Sequence, residues 1–411
     1  MSVDFHHHQL SNGLTVIGEV NSDAHTAAVG FFVKTGSRDE DPAVMGVSHF
    51  LEHMMFKGTD RRTADDVNRE FDELGANYNA YTTQEDTVFF AQVLPQCLPP
   101  VVDLLADILR PSLRGDDFEM EKKVILEEIG MYEDQPQWRL QDALIETHFG
   151  GHPLAHRVLG TQETVGDLNL QQMQTYFDHR YSADNIIVAA AGNLQFDQFV
   201  QDITVATESW VPTGAMRQYT DPQPIDYSQS LVDPKLARHY GALIWPGPAS
   251  QDDQRYAAAV LADVLGDTDG SRLYWNLIDP GLADEADISL AAQDQLGSFV
   301  AFFSCDPGRA KQVEAVLLST LDDCVSSIDV GEIERVKNKI ATDATVRGEN
   351  PAGRMRGLGH QWTYLGRYIP LTDEIRRLMD VTVDDVRQVV TDWPFRPRTI
   401  MRLGPIQAPK N

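Results

Sequence analysis

The feature that most constrains this chain is the eleven-residue run HFLEHMMFKGT, which extends from His49 to Thr59. Residues four apart on an α-helix share one face, so His49 and His53 can direct two imidazoles at a single metal ion. Glu52 borders the same face, and a carboxylate beside two neutral imidazoles suits a zinc ion with an activated water. The alternative is a pair of core histidines beside an unrelated glutamate. The pattern predicts a buried helix with a catalytic metal site, provided that the chain supplies a third ligand.

A catalytic zinc site needs a third protein ligand and an open position for water. Residues 117–133 have the composition of a helix, and Glu121 and Glu128 lie seven residues, or two turns, apart on one of its faces. This spacing suits one ligand and one carboxylate that orients a ligand. It does not choose among the candidates, which are Glu119, Glu121, Glu127 and Glu128. All of them are solvated surface groups in the alternative interpretation. The expected buried face consists of Val124, Ile125, Leu126, Ile129 and Met131.

The run HFLEHMMFKGT resembles the zinc motif of the pitrilysin/insulinase family of metallopeptidases, the inverzincins. This resemblance implies that Glu128 is the third zinc ligand and that Glu121 orients the ligand set. Asn79 and Ala80, in the run NAYT, are similar to the family strand that hydrogen-bonds the substrate backbone beside the zinc.

The resemblance covers most of the chain and implies the half-length branch that is similar to the mitochondrial processing peptidase subunits. It implies the α+β class, with two similar duplicated domains that form half of a clamshell. Each domain would be an antiparallel or mixed sheet with helices packed on one face. The implied activity is a zinc-dependent endopeptidase that cleaves peptides or unfolded segments inside a closed chamber. One zinc ion per chain would be bound by His49, His53 and Glu128, with Glu52 as general base. A homodimer is implied, or a heterodimer with a related chain.

One stretch departs from the family pattern. Active members often present an Arg and a Tyr, seven residues apart, from a later domain. Ile278 and Asp284 stand roughly where these residues would be, with one residue missing between them. The departure keeps open a second hypothesis, a non-catalytic or weakly active subunit that serves as a scaffold or peptide-binding partner in a related heteromeric peptidase. Such subunits usually lose ligands, whereas this chain keeps the complete set.

The length of 411 residues is too great for one compact core and fits two domains. A change in composition to Pro, Gly, Thr and Gln predicts a linker at 211–226, between a zinc-bearing domain at 1–210 and a second domain at 227–411. The order of elements returns after about 210 residues, which predicts a duplicated fold. The second copy has lost the metal ligands. Its residues at the corresponding positions are Ala257, Val260, Leu261 and Ala341.

The net charge of −28 argues against a nucleic-acid partner and against docking on anionic lipid, which both need basic surfaces. It fits a soluble protein, an acidic proteome in a saline habitat, or an acidic cavity that attracts basic peptides. No apolar run approaches the roughly 20 residues of a membrane span, and no secretory signal or transit peptide is recognised at the start. A cytoplasmic location is therefore the expectation. Three widely spaced cysteines predict free thiols.

Other segments give weaker indications. The histidines that lack ligand spacing are expected at surface or loop positions, and they are His148, His152, His156, His179 and His360. The glycine-rich segment 348–359 is predicted to be mobile, either as a plain surface loop or as the family loop that contacts substrate.

Overall fold

The computed structural model of this chain describes residues 3–405, without the side chains of Val325 and Ser326. The chain divides into two compact units. The first unit consists of Met1–Met131, His156–Gln218 and Val346–Tyr368. The second consists of Tyr132–Ala155, Tyr219–Thr345 and Ile369–Asn411. Each unit thus includes a segment from the other half of the sequence, an exchange that a division at residues 211–226 does not anticipate.

A six-stranded mixed sheet forms the centre of the first unit. Its strands are β1 (Asp4–Gln9), β2 (Thr15–Val20), β3 (Ala27–Val33), β4 (Asn77–Thr82), β5 (Thr87–Val93) and β6 (Ile186–Gly192). Their order is β1-β2-β6-β3-β5-β4, with β2 and β6 parallel and the other neighbours antiparallel. Strand β3 reads AAVGFFV and is buried throughout, as a strand that is covered on both faces requires. Strand β4 lies at the edge of the sheet, beside β5.

The sheet of the second unit repeats this topology. Its strands are β7 (Tyr227–Val232), β8 (His239–Pro246), β9 (Glu285–Ala292), β10 (Gly297–Cys305) and β11 (Thr399–Gly404). Their order is β7-β11-β8-β10-β9, with β7 and β11 parallel and the other neighbours antiparallel. These strands occupy the places of β2, β6, β3, β5 and β4. The predicted α+β class with two similar units is therefore confirmed.

The helices follow the same repeated order. In the first half of the chain they are α1 (Val47–Met55), α2 (Ala64–Glu73), α3 (Leu98–Ile108), α4 (Gly115–Glu133), α5 (Pro136–Phe149), α6 (Gln162–Asp167), α7 (Leu170–Arg180) and α8 (Phe196–Ala206). In the second half they are α9 (Arg255–Gly266), α10 (Ala310–Ser327), α11 (Val330–Glu349), α12 (Pro351–Leu365), α13 (Leu371–Met379) and α14 (Val383–Asp392). No helix in the described part of the chain is long and apolar enough to cross a membrane.

The first sheet is covered by helices on both faces. One face carries the larger core, in which Phe31 packs together with Phe50 of α1. Helix α12 covers the opposite face, where Met355 packs with Phe32. A Cβ on Gly359 would lie 2.1 Å from the Phe32 ring, so this glycine permits the close approach of helix and sheet. The segment 348–359 is therefore mostly helical, because a buried apolar face stabilises it against the sheet.

Helix α5 has the corresponding place in the second unit. Leu140 and Leu144 pack against Ala242 and Ile244 of β8. The prediction placed helices on one face of each sheet only. In both units a helix also covers the other face.

Candidate metal centre

The entry into α1 is fixed by backbone contacts. Gly46 precedes the helix with φ +96°, a left-handed conformation that favours glycine, and a Cβ there would lie 2.7 Å from the carbonyl oxygen of Leu159. The buried carboxylate of Glu40 accepts hydrogen bonds from the backbone N–H groups of Gly46 and Ser48, both at 2.7 Å. These groups are orphan donors at the helix N-terminus, so Glu40 acts as its cap. The start of α1, and with it the direction of its histidines, is held firmly.

Three predicted ligands come together where α1 meets α4. His49 and His53 are one turn apart on α1, with ring centroids separated by 4.7 Å. Their Nε2 atoms lie 3.9 and 3.8 Å from Oε2 of Glu128 on α4. One donor atom from each of the three residues lies within 4.8 Å of the other two.

Glu121 lies on α4 two turns before Glu128 and holds the second imidazole. Its Oε1 is 2.8 Å from Nδ1 of His53, and its Oε2 is 2.5 Å from Nζ of Lys57. A carboxylate at Nδ1 favours the tautomer that keeps the proton there, which leaves the Nε2 lone pair directed towards Glu128. The structure thus places Glu121 where it orients His53 rather than beside Nε2.

Glu52 lies next to this cluster and is held by an adjacent strand. Thr82, the last residue of β4, donates its hydroxyl to Oε2 of Glu52 at 2.6 Å. The other oxygen, Oε1, has no hydrogen-bond partner among the described residues, so it remains available to accept a proton.

Asn79 and Ala80 lie on the same edge strand. Ala80 packs against the larger core, whereas the side chain of Asn79 is exposed and accepts a hydrogen bond from the N–H of Ala80 at 2.8 Å. Because β5 pairs with one side of β4 only, the other side can accept an added strand.

Burial and neighbouring charges set the protonation of the cluster. Burial, with a smaller effect of His53, lowers the pKa of His49 to about 3, so this imidazole is neutral. Burial alone would lower the pKa of His53, but the hydrogen bond and charge of Glu121, with Glu52 and Glu128, raise it. Burial would raise the pKa of Glu121, yet the hydrogen bonds from His53 and Lys57 lower it. Burial raises the pKa of Glu52 against the opposing hydrogen bond from Thr82.

This donor set fits a zinc ion. Two imidazole nitrogens and one carboxylate oxygen are ligands that zinc commonly takes, and three protein ligands leave one position open. Bonds of about 2.1 Å to a tetrahedral ion separate neighbouring ligand atoms by roughly 3.4 Å. The distances of 3.8 and 3.9 Å from the nitrogens to the Glu128 oxygen are close to that value and too long for hydrogen bonds.

Among the residues that the structure describes, the second copy has no such donor set. Ala257, Val260 and Leu261 lie buried on α9, which follows β8 as α1 follows β3. Ile278 packs against the core of the second unit, and Asp284 forms an ion pair with Arg238.

Some expectations about single residues were wrong. Val124 and Met131 are exposed, so the buried face of α4 consists instead of Phe118, Glu121, Ile125 and Ile129. His148 is buried on α5, with Nδ1 3.1 Å from the hydroxyl of Thr399, and so lies neither at the surface nor in a loop. His152 lies in a loop, as expected, but is buried there, with Nε2 2.9 Å from the carbonyl oxygen of Thr220.

Lys57 and Thr82 are residues of the site that the motif and its spacing do not identify. Lys57 lies four residues after His53, a spacing that places it near the same helix face. Thr82 lies two residues after Ala80 on β4, so the two side chains point to the same face of the sheet. Both signals are present in the sequence but become specific only once α4 and β4 are placed beside α1.

The chain is similar over nearly its full length to proteins of known family. Residues 15–162 match the family model described as Insulinase (Peptidase family M16), and residues 167–340 match the model described as Peptidase M16 inactive domain. An uncharacterized zinc protease of Streptomyces coelicolor is 31% identical, with 97% of this chain and 89% of the relative covered. An uncharacterized zinc protease of Mycobacterium tuberculosis is 32% identical, with 96% and 92% covered. The crystal structure of a protease from Helicobacter pylori is 21% identical with a TM-score of 0.91, and covers 98% of this chain and 100% of its own.

Proposed function

The chain belongs to the insulinase family, peptidase family M16, and on this premise we propose that it is a zinc-dependent endopeptidase that cleaves peptides or unfolded segments. The observation that carries the proposal is the convergence of His49, His53 and Glu128 beside the free oxygen of Glu52. Three ligands with an adjacent carboxylate are what a hydrolytic zinc site requires, because a purely structural site would use a fourth protein ligand.

The reaction divides between the metal and the side chains. A zinc ion held by His49, His53 and Glu128 would polarise the scissile carbonyl and lower the pKa of the attacking water. Glu52 takes the proton of that water at Oε1 and returns it to the leaving amine. Thr82 holds Oε2, so the proton-accepting oxygen keeps one orientation throughout.

The substrate is proposed to bind as an added strand along β4. The free edge of this strand offers backbone hydrogen bonds, which recognise an extended peptide without regard to its side chains. Asn79 occupies the N–H of Ala80 with its own side chain, so this side chain must rotate away if the peptide is to use that donor. A folded protein cannot supply an extended segment of this kind, which restricts the substrates to peptides and unfolded regions.

A second candidate is the non-catalytic subunit. The match to a model described as an inactive domain favours it, but that match begins at residue 167, after all the residues of the metal centre. The two candidates differ in their metal content and in the consequence of removing the base.

The first experiment measures the metal. Purified protein, supplied with zinc and then dialysed, should hold about one zinc per chain by elemental analysis. His49→Ala should lose the metal, because two remaining ligands bind far more weakly than three. A wild-type chain that retains no zinc would exclude the proposed site.

The second experiment separates the base from the ligands. Glu52→Gln keeps the shape of the side chain and removes its proton acceptor, so we expect unchanged zinc content and peptide cleavage reduced by about 10²-fold or more. Glu128→Gln is the matched variant, and it should lose zinc. If Glu52→Gln loses zinc as readily as Glu128→Gln, the assignment of the base is wrong; if the wild type holds zinc but cleaves no peptide, the non-catalytic subunit is the better description.

A further inference from the structure

The edge strand beside the metal centre presents different chemistry on its two faces. Ala80 and Thr82 point to the face that carries α1 and the metal centre. Residues alternate along a strand, so Asn79 and Tyr81 point to the opposite face, which α12 covers. Phe90 of β5 stands opposite Asn79 in the sheet and packs in the smaller core on that face.

A chain of polar contacts ties α12 to this strand. The hydroxyl of Tyr81 lies 2.9 Å from Nε2 of His360, and Nδ1 of the same ring lies 3.2 Å from the buried carboxylate of Asp86. Asp86 is held in turn by the hydroxyl of Thr83 at 2.6 Å. These contacts fix His360, and therefore the neighbouring turn of α12, against the far face of β4.

That turn carries an exposed cation. Arg356 lies one turn before His360, and its guanidinium stands 5.5 Å from the centre of the Phe90 ring. It forms no ion pair with any acidic residue in the described part of the chain. Arg354, two residues earlier, is by contrast paired with Glu19. The guanidinium of Arg356 is therefore an exposed cation, in a chain with 62 acidic residues against 34 lysines and arginines.

We propose that Arg356 forms a cationic subsite that binds an acidic side chain of a peptide lying along β4. The proposal rests on the proposed function, because it requires a bound peptide strand. Side chains of an added strand alternate between the two faces of the sheet, so one set faces α1 and the metal and the other set faces α12. Only the second set can reach Arg356, and an aspartate or glutamate there would gain a charge-assisted hydrogen bond.

The proposal predicts a dependence on position. A glutamate moved one residue at a time through a peptide with a fixed cleavage site should improve binding at one position, or at two positions that are two residues apart. The intervening positions should show no gain, because their side chains face the metal side. General attraction of acidic groups to a positive surface would not produce this alternation.

The experiment measures peptide binding rather than turnover. Zinc-loaded protein with Glu52→Gln is titrated into fluorescent peptides that differ only in Glu, Gln or Lys at the scanned position, with both termini capped, and anisotropy gives Kd. We expect the best glutamate peptide to bind about 3-fold more tightly than its glutamine counterpart, the range of a partly exposed ion pair.

Adding Arg356→Glu should reverse the order, so that the lysine peptide binds best, and Arg356→Lys should retain the original order. Arg367→Gln removes an exposed charge beyond the end of α12 and should change nothing. A further pair of glutamine peptides, with a free or an amidated C-terminus, tests whether Arg356 binds a terminal carboxylate instead.

The outcomes separate this inference from the function on which it rests. If peptides bind and the Glu/Gln ratio is the same with and without Arg356→Glu, the subsite is overturned while the peptidase remains. A preference confined to the free C-terminus overturns it as well, in favour of terminal recognition. If no peptide binds to the zinc-loaded protein, the peptide-binding function itself fails, and the subsite fails with it.

Discussion

At the scale of single residues, the reactive groups depend on partners that hold them in place. Lys57 forms an ion pair with one oxygen of Glu121, and the other oxygen of Glu121 contacts Nδ1 of His53. The carboxylate therefore stays charged and keeps the proton on Nδ1, while Nε2 remains a metal-binding lone pair. The pKa of the buried His49 is lowered by desolvation and, to a smaller degree, by His53, so this imidazole is neutral. The two imidazoles are thus prepared for one ion by two different physical effects.

Thr82 is the corresponding partner of the general base. Thr82→Val removes the hydroxyl and keeps the branched shape, so Glu52 loses its only hydrogen bond within the described residues. A hydrogen bond to a charged group contributes about 1.5–3 kcal/mol, and we expect kcat for peptide cleavage to fall by at least about 10-fold. KM and zinc content should stay unchanged, since neither the ligands nor the free strand edge are altered.

Thr82→Ser supplies the control for this prediction, because it restores the hydroxyl without the methyl group. Kinetics and elemental analysis on the same preparations give both readings. Equal kcat values for the valine and serine variants would show that the hydroxyl does not position the base.

At the scale of elements, the metal centre depends on the entry into α1. Gly46→Ala would strain a backbone at φ +96° and press a Cβ against the Leu159 carbonyl at 2.7 Å. We expect the midpoint of thermal unfolding to fall and zinc affinity to weaken, because the helix carrying both histidines must shift. Gly75→Ala is a matched control, since Gly75 also has positive φ, +62°, but nothing lies within 4 Å of its Cβ position.

The control variant should lose only the cost of a left-handed alanine, about 1 kcal/mol. Its zinc affinity should equal that of the wild type. Differential scanning calorimetry and a competitive zinc chelator measure the two quantities. If both variants weaken zinc binding to the same degree, the contact with Leu159 does not position α1.

Helix α5 carries a titratable group that makes the stability of its unit depend on pH. Burial lowers the pKa of His148 from 6.5 to about 4, and its Nδ1 lies 3.1 Å from the hydroxyl of Thr399. Between pH 6.5 and 4, His148 therefore binds a proton in the unfolded chain but stays neutral in the folded unit. The free energy of unfolding is highest above pH 6.5 and falls as the pH decreases towards 4, by roughly 3 kcal/mol in total.

His148→Asn tests this dependence. The asparagine amide can still reach the Thr399 hydroxyl but does not titrate. The midpoint of thermal unfolding should therefore fall less between pH 7 and pH 5 in the variant than in the wild type. Calorimetry at the two pH values gives the comparison. Parallel losses in both proteins would show that another group is responsible.

Elements with a clear local sequence pattern could be predicted from the sequence. The position of α1 follows from the histidine spacing, because residues four apart share one face of a helix. Helix α12 could not be predicted, because its glycines oppose helix formation and its stability comes from Met355 and Leu358 buried on a sheet from the other half of the chain. The choice of Glu128 over its neighbouring glutamates likewise followed from a resemblance and not from spacing. Residues that act across elements, such as Thr82, become identifiable only in three dimensions.

At the scale of the whole molecule, the duplication separates two tasks. All residues of the metal centre, together with the edge strand and the proposed cationic subsite, belong to the first unit. The second unit keeps the same order of strands but has buried apolar residues on α9 where the metal ligands would be. The second unit therefore need not take part in proton transfer. Its fold can still contribute to the stability and the surface of the protein.

The last prediction concerns the chain acting alone. The family resemblance implies a dimer, and it implies an Arg and a Tyr where this chain has Ile278, packed against a core, and Asp284, already paired with Arg238. Neither side chain can donate a hydrogen bond to a developing oxyanion, and removing one such donor typically costs about 10²–10³ in rate. We therefore expect light scattering to give twice the mass of the chain and turnover on a mixed peptide library to be slow. The zinc-loaded wild type and Glu52→Gln, assayed side by side, distinguish slow cleavage from none. Turnover near 10 s⁻¹, about the median for enzymes, would mean that this chain stabilises the oxyanion with groups other than the two that the resemblance implies.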